Sequence, residues 1–157
     1  MNRSLPFLEF IVRCVIGVLF IASAVPKLRQ PYLFLADVYA YELLSPSVAK
    51  FSAVVIPVLE LTIGALLLAG VLLPGALIAS AVVSIVFFVA QVAALARGLR
   101  IDCGCFGASG AADPIGFATI SRVVLFCLAS IACLMVLRRS TVEDVPEVSG
   151  RFGRALS

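Results

Sequence analysis

Residues 76–107 read ALIASAVVSIVFFVAQVAALARGLRIDCGCFG. The first part, Ala76–Ala96, carries no charge and is long enough to cross the ~30 Å hydrocarbon core of a bilayer as a helix. The second part, Asp102-Cys103-Gly104-Cys105-Phe106-Gly107, is a short polar loop with two thiols one residue apart. A thiol pair at that spacing can close on itself, exchange with a partner's disulfide, or hold a soft metal. The fold follows from the first part and the chemistry from the second.

The rest of the chain agrees with a membrane setting. Of its 157 residues, 62% are hydrophobic and 13% charged, against ~45–50% apolar and ~25% charged in a typical soluble domain. The expected architecture is all-α: a polytopic, up-and-down four-helix transmembrane bundle with spans at about 7–26, 51–73, 76–96 and 115–137. The first run ends in Ala22-Ser23-Ala24, like a signal-peptide cleavage site. Glu9 and Arg13 inside it favour an uncleaved first span. In the polar interval 27–51, the stretch from Tyr32 to Leu44 has the spacing of a short amphipathic helix lying at the interface. A tight turn is expected at Pro74-Gly75, and Ala76, Ser80 and Ser84 form a small-residue stripe suited to close helix contact, within the chain or between copies. The tail 138–157, acidic and then basic, is expected to be disordered.

Four spans place both termini on one side and the loops 27–51 and 97–116 on the other. Basic residues divide almost evenly between the sides, so the positive-inside rule does not choose. A dithiol is more useful in an oxidising compartment. The expected topology therefore puts the termini in the cytoplasm and the Cys103/Cys105 loop outside the inner membrane.

Histidine is absent, which removes the commonest general base and metal ligand. The net charge of +3 is small and scattered, so no nucleic-acid partner is expected. Cys103 and Cys105 carry the sharpest signal. A disulfide across one residue is geometrically cramped, strained disulfides are readily reduced, and Gly104 supplies the backbone freedom such a ring needs. Arg97, Arg100 and Arg122 are candidates for lowering a thiol pKa. A metal would need further soft ligands that the chain does not offer nearby. Cys14, Cys127 and Cys133 lie in apolar runs and read as packing residues.

Polar residues inside the spans form a second constellation, because charge in a membrane is costly and normally paired. At ~1.5 Å per residue, Glu60 would lie roughly 12 Å, Arg122 roughly 10 Å and Gln91 roughly 8 Å below the loop side. Arg13 is a rival partner for Glu60. Lys27 is expected to be an ordinary interfacial lysine that extends to the surface, or else a member of the cluster. Such a cluster is either a structural ion pair or the polar floor of a pocket for a quinone, a lipid head group or a substrate.

In order along the chain, Arg13, Ser23-Ala24-Val25-Pro26-Lys27, Pro57-Val58-Leu59-Glu60 with Gly64, Arg97-Gly98 and Cys103-Gly104-Cys105-Phe106-Gly107 resemble the MauE family. These are methylamine-utilisation membrane proteins related to the DoxX-like four-helix group, and the resemblance covers about residues 7–137. It implies a membrane component of thiol–disulfide traffic. Cys103 and Cys105 would be the exchanging pair, with Arg97, Gly98, Gly104, Phe106 and Gly107 supporting the loop. It also implies a soluble thioredoxin-like partner and an exported, disulfide-rich client, which in the family is the small subunit of methylamine dehydrogenase. Two readings compete: a non-enzymatic membrane anchor or assembly subunit of a redox complex, and a small-molecule or lipid carrier using the intramembrane polar cluster.

Overall fold

The computed structural model describes residues 4–99, 101 and 115–155, with side chains described for 7–99, 101 and 115–138. Within these residues the chain is entirely helical: α1 Ser4–Arg29, α2 Pro31–Ala40, α3 Pro46–Ala69, α4 Leu73–Ala96 and α5 Phe117–Ala155. Four segments are long and apolar enough to cross a membrane, namely Phe7–Arg29, Pro46–Ala69, Leu73–Ala96 and Phe117–Arg138. Their outward faces carry large apolar side chains such as Val18, Val54, Val86, Val89 and Leu128. A four-helix membrane protein presents such a surface to lipid, where only internally hydrogen-bonded backbone can stand.

The helix boundaries follow from local chemistry. Pro31, Pro46 and Pro74 each sit in the first turn of α2, α3 and α4, where a missing N–H costs nothing because that group has no intrahelical partner. The expected turn at Pro74-Gly75 is therefore displaced. The chain reverses at Gly70–Leu72, and Pro74 already belongs to α4. Gly70 takes the left-handed conformation at φ +74°, and the Gly70 and Val71 amides both donate to Leu66 O, at 3.0 and 3.2 Å. This closes α3 with a glycine cap. The α3 start also moves, from the expected residue 51 to Pro46, because Pro46 initiates the helix instead of interrupting a loop. The backbone of 138–155 continues α5 where disorder is expected from composition. Once a helix is nucleated, each further residue adds a hydrogen bond at small entropic cost.

The four spans form a ring. α1 packs on α3, α3 on α4, α4 on α5 and α5 on α1, while α2 lies chiefly against α3. The α1–α3 seam is backbone-close at one level. A Cβ added to Gly64 would stand 2.7 Å from Gly17 O, and one on Gly17 would stand 3.0 Å from Gly64 O. On the other seam, the stripe Ala76, Ser80 and Ser84 is buried, and the Ser80 hydroxyl is 2.9 Å from that of Ser130 on α5. The stripe thus serves packing within the chain. Ile16, Phe20, Ile63, Leu67, Leu77 and Cys133 fill the core toward the termini. The opposite half of the bundle interior buries Lys27, Glu60 and Gln91 among small and aromatic side chains such as Ala24, Ala49, Ala53 and Phe34.

Candidate functional site

That half is centred on Lys27, which the sequence places near the interface and the fold buries to 1% exposure. It is two residues short of the end of α1, yet α2 folds over it and α3 and α4 close the remaining sides. Its ammonium donates to both oxygens of Glu60, at 2.6 and 2.8 Å, and to Ser23 Oγ at 3.0 Å. The Ser23 hydroxyl donates in turn to Glu60 Oε2 at 3.3 Å. The rings of Phe34 from α2 and Phe87 from α4 stand 5.0 and 4.9 Å from the nitrogen. All three ammonium protons have acceptors, and two aromatic faces supply the cation–π component that strengthens when water is excluded. A quinone or head group could reach this charge pair only by displacing one of those contacts.

Because α3 begins at Pro46, Glu60 lies ~21 Å along the helix, deeper than the sequence estimate and near the middle of a span. Of the two rivals for it, Lys27 is the partner. Arg13 lies toward the other end of α1, half-buried, with its guanidinium 5.1 Å from the Phe10 ring. There it sits against Gly70, where an added Cβ would stand 3.1 Å from Nη1. That is the carbonyl end of α3, which favours a cation. Gln91 is fully buried, one turn along α4 from Phe87 and so on the same face. Arg122 is exposed on α5.

The second part of the site is the root of the cysteine loop. Cys103, Gly104, Cys105, Phe106 and Gly107 lie outside the described residues, but both ends of their segment are fixed. Arg97 caps α4, and Gly98 follows in the left-handed conformation at φ +71°. Gly98 N donates to Leu95 O at 3.0 Å and Leu99 N to Ala94 O at 3.1 Å. This paired closure is the reason an Arg-Gly sequence can end a membrane helix abruptly. Beyond it, Ile115 N donates to Ile101 O at 3.0 Å. The segment 102–114 therefore leaves and re-enters the bundle through one hydrogen-bonded neck.

Arg97 does not stand as a free cation beside that neck. Its Nη1 donates to Tyr41 O at 2.9 Å and Glu42 O at 3.4 Å, and its Nη2 pairs with Glu42 Oε2 at 3.0 Å. Sequence reasoning makes it one of three candidates for lowering a thiol pKa; in the structure its guanidinium pairs with the Glu42 carboxylate. Tyr41 is buried at the same corner, and burial together with the charge of Asp37 pushes its phenol pKa up to about 12. Phe34, Tyr41, Glu42 and Phe87 are not among the candidate site residues read from sequence, and Ser23 enters there only within the Ser23–Lys27 stretch. Two of them carried a faint signal: Ser23 is four residues before Lys27, and Phe87 four before Gln91, each one helical turn away.

No solved structure matches the chain. A family model described as methylamine utilisation protein MauE matches residues 5–135. The "Methylamine utilization protein MauE" of Paracoccus denitrificans is 32% identical over 126 residues, covering 79% of this chain and 67% of that relative. The matched region takes in three spans and most of the fourth, the Lys27–Glu60 pair and the cysteine loop, so the chain is a multi-pass membrane protein of the MauE family.

Proposed function

We propose that the chain is a membrane component of thiol–disulfide exchange, with Cys103 and Cys105 as its exchanging pair. The observation that carries this reading is the anchored neck. The Gly98 cap and the Ile115–Ile101 hydrogen bond hold both ends of the thiol-bearing segment at one edge of the bundle, the placement needed to meet a soluble protein. Family membership supports it.

In the exchange, a thiolate of a thioredoxin-like partner attacks one sulfur of the Cys103–Cys105 disulfide. That S–S bond breaks and a mixed disulfide forms. The partner's second thiolate then attacks the mixed disulfide, leaving the partner oxidised and this chain as a dithiol. Two electrons and two protons have moved. The reverse path is chemically equivalent, and relative reduction potentials choose between them. The loop faces the oxidising side of the inner membrane, the termini the cytoplasm, and the client is an exported disulfide-containing protein.

Cys103→Ser and Cys105→Ser are each expected to abolish client oxidation while the protein still accumulates in the membrane. One of the two should trap a mixed disulfide with a soluble partner, visible on non-reducing gels. Undiminished client oxidation in both variants would sink the proposal.

A further inference from the structure

Arg13 is a charge inside a span that the described residues leave uncompensated. The two ion pairs among them, Lys27–Glu60 and Arg97–Glu42, leave it out. Its Nε is enclosed without a hydrogen-bond partner. Glu9 is one helical turn earlier on α1, yet no ion pair joins the two. A cation within a membrane span is costly and is normally answered by an opposite charge or by carbonyl groups. The carbonyl end of α3 beside Arg13 supplies only a partial charge. A full negative charge is still wanted there.

The chain reversal next to Arg13 marks its level in the bilayer. Side chains on a helix lean toward its N-terminus, and the Arg13 guanidinium does so, lying 5.1 Å from the Phe10 ring one turn earlier. It thereby comes against Gly70, where α3 ends and the chain turns through Gly70–Leu72 into α4. A reversal exposes peptide groups that a helix satisfies internally, so it has no place among lipid tails. Yet Gly70-Val71-Leu72-Leu73-Pro74-Gly75 contains no polar side chain, and Val71 and Leu72 are 53% and 71% exposed. Such side chains are driven out of water. Peptide groups that reject the tails and side chains that reject water are both accommodated at the headgroup boundary. The guanidinium stands at that boundary.

What the headgroup layer offers a guanidinium is phosphate, whose oxygens match its planar fork of donors. A zwitterionic headgroup carries an ammonium that neutralises its own phosphate, whereas an anionic one brings the net negative charge that Arg13 lacks. We infer that Arg13 binds the phosphate of an anionic phospholipid in the leaflet on the side of the termini, with the acyl chains beside the exposed Phe10, Val71 and Leu72. The inference is independent of the exchange reading, since it uses neither the cysteines nor a protein partner.

The test uses the full-length protein in neutral detergent, with phosphatidylglycerol and phosphatidylcholine of identical acyl chains as probes and retained lipid counted by native mass spectrometry. The parent is expected to retain phosphatidylglycerol about fivefold better, the scale of one basic residue at an anionic surface. Arg13→Met, which keeps an unbranched side chain and removes the charge, should bring the two lipids to parity. Arg13→Lys should keep part of the preference, as a point charge without the fork. Arg138→Gln removes an exposed cation at the end of the fourth span and should leave the preference near the parental value. Equal retention of both lipids by the parent overturns the inference, as does a parental preference in Arg13→Met. A loss in Arg138→Gln as large as that in Arg13→Met overturns it too, because net charge and not a site would then be responsible. Displacement of phosphatidylglycerol by an equal concentration of inorganic phosphate would make this a free-anion site and overturn the lipid assignment. If Arg13→Met does not accumulate, the parent carries the test: phosphatidylglycerol with a photoreactive headgroup should label residues 10–13 and 70–73, and labelling without enrichment there overturns the inference.

Discussion

Two Lys/Arg–carboxylate pairs in this bundle do different work. Lys27–Glu60 closes at 2.6 Å with side-chain exposures of 0% and 5%; Arg97–Glu42 closes at 3.0 Å with 40% and 65%. In the first pair each partner has given up its hydration and depends on the other, Ser23 and two aromatic rings. In the second, both partners keep substantial exposure, and separating them leaves each in reach of water. Distance alone does not measure a salt bridge; the cost of its alternative state does.

The largest effect should come from breaking the buried pair on one side. Lys27→Ala or Glu60→Leu leaves an uncompensated charge inside the bundle and is expected to destabilise the protein by about 3–5 kcal/mol, read as thermal unfolding in detergent. Replacing both, as Lys27→Met/Glu60→Leu, should be less damaging than either single change because no orphan charge remains. A double variant as unstable as the worse single would show that shape rather than charge holds this centre. Opening the exposed pair with Glu42→Gln should cost no more than about 1 kcal/mol, with a difference that shrinks as salt is added. The contrast between the pairs fails if the two single changes cost the same.

The smallest effect concerns pH at the corner the exposed pair grips. The Tyr41 phenol rises from 10.0 to about 12 in the fold, so the folded state favours its neutral form. Stability from this group is complete below pH ~10, the unfolded value, and declines as pH rises through about 12. Unfolding followed across that alkaline window should therefore show a slope that Tyr41→Phe flattens. An unchanged slope would mean that Tyr41 does not ionise late.

Much of this architecture was legible in the sequence, for reasons that also explain what was not. Four apolar runs announce four spans because a bilayer imposes length and polarity on each helix separately. Arg97-Gly98 and Pro57 to Glu60 stood out because charged, glycine and proline residues are conspicuous against such runs. Pairing between helices carries no comparable mark. Glu60 had Arg13 and Lys27 as rivals, and only the packing of α1 on α3, with α2 folded over both, chooses Lys27. Arg122 had the right depth and faces outward. The turn was read at Pro74-Gly75 because proline and glycine both signal turns; Gly70 supplies the cap, and Pro74 is a helix starter. The cysteine pair, plainest of all in the sequence, lies beyond the described residues, so its neck is what the fold contributes.

The spacing of the buried pair also has a consequence for biosynthesis. Lys27 and Glu60 are 33 residues apart, so a growing chain delivers the ammonium to the membrane before its acid has emerged. During that interval Lys27, two residues from the end of α1, can keep its ammonium hydrated at the interface. Arrival of α3 brings Glu60 and the Gly64 surface that seats on Gly17 together. The pair thereby sets an order of events: the Lys27 ammonium leaves water only once α3 has brought Glu60 beside it.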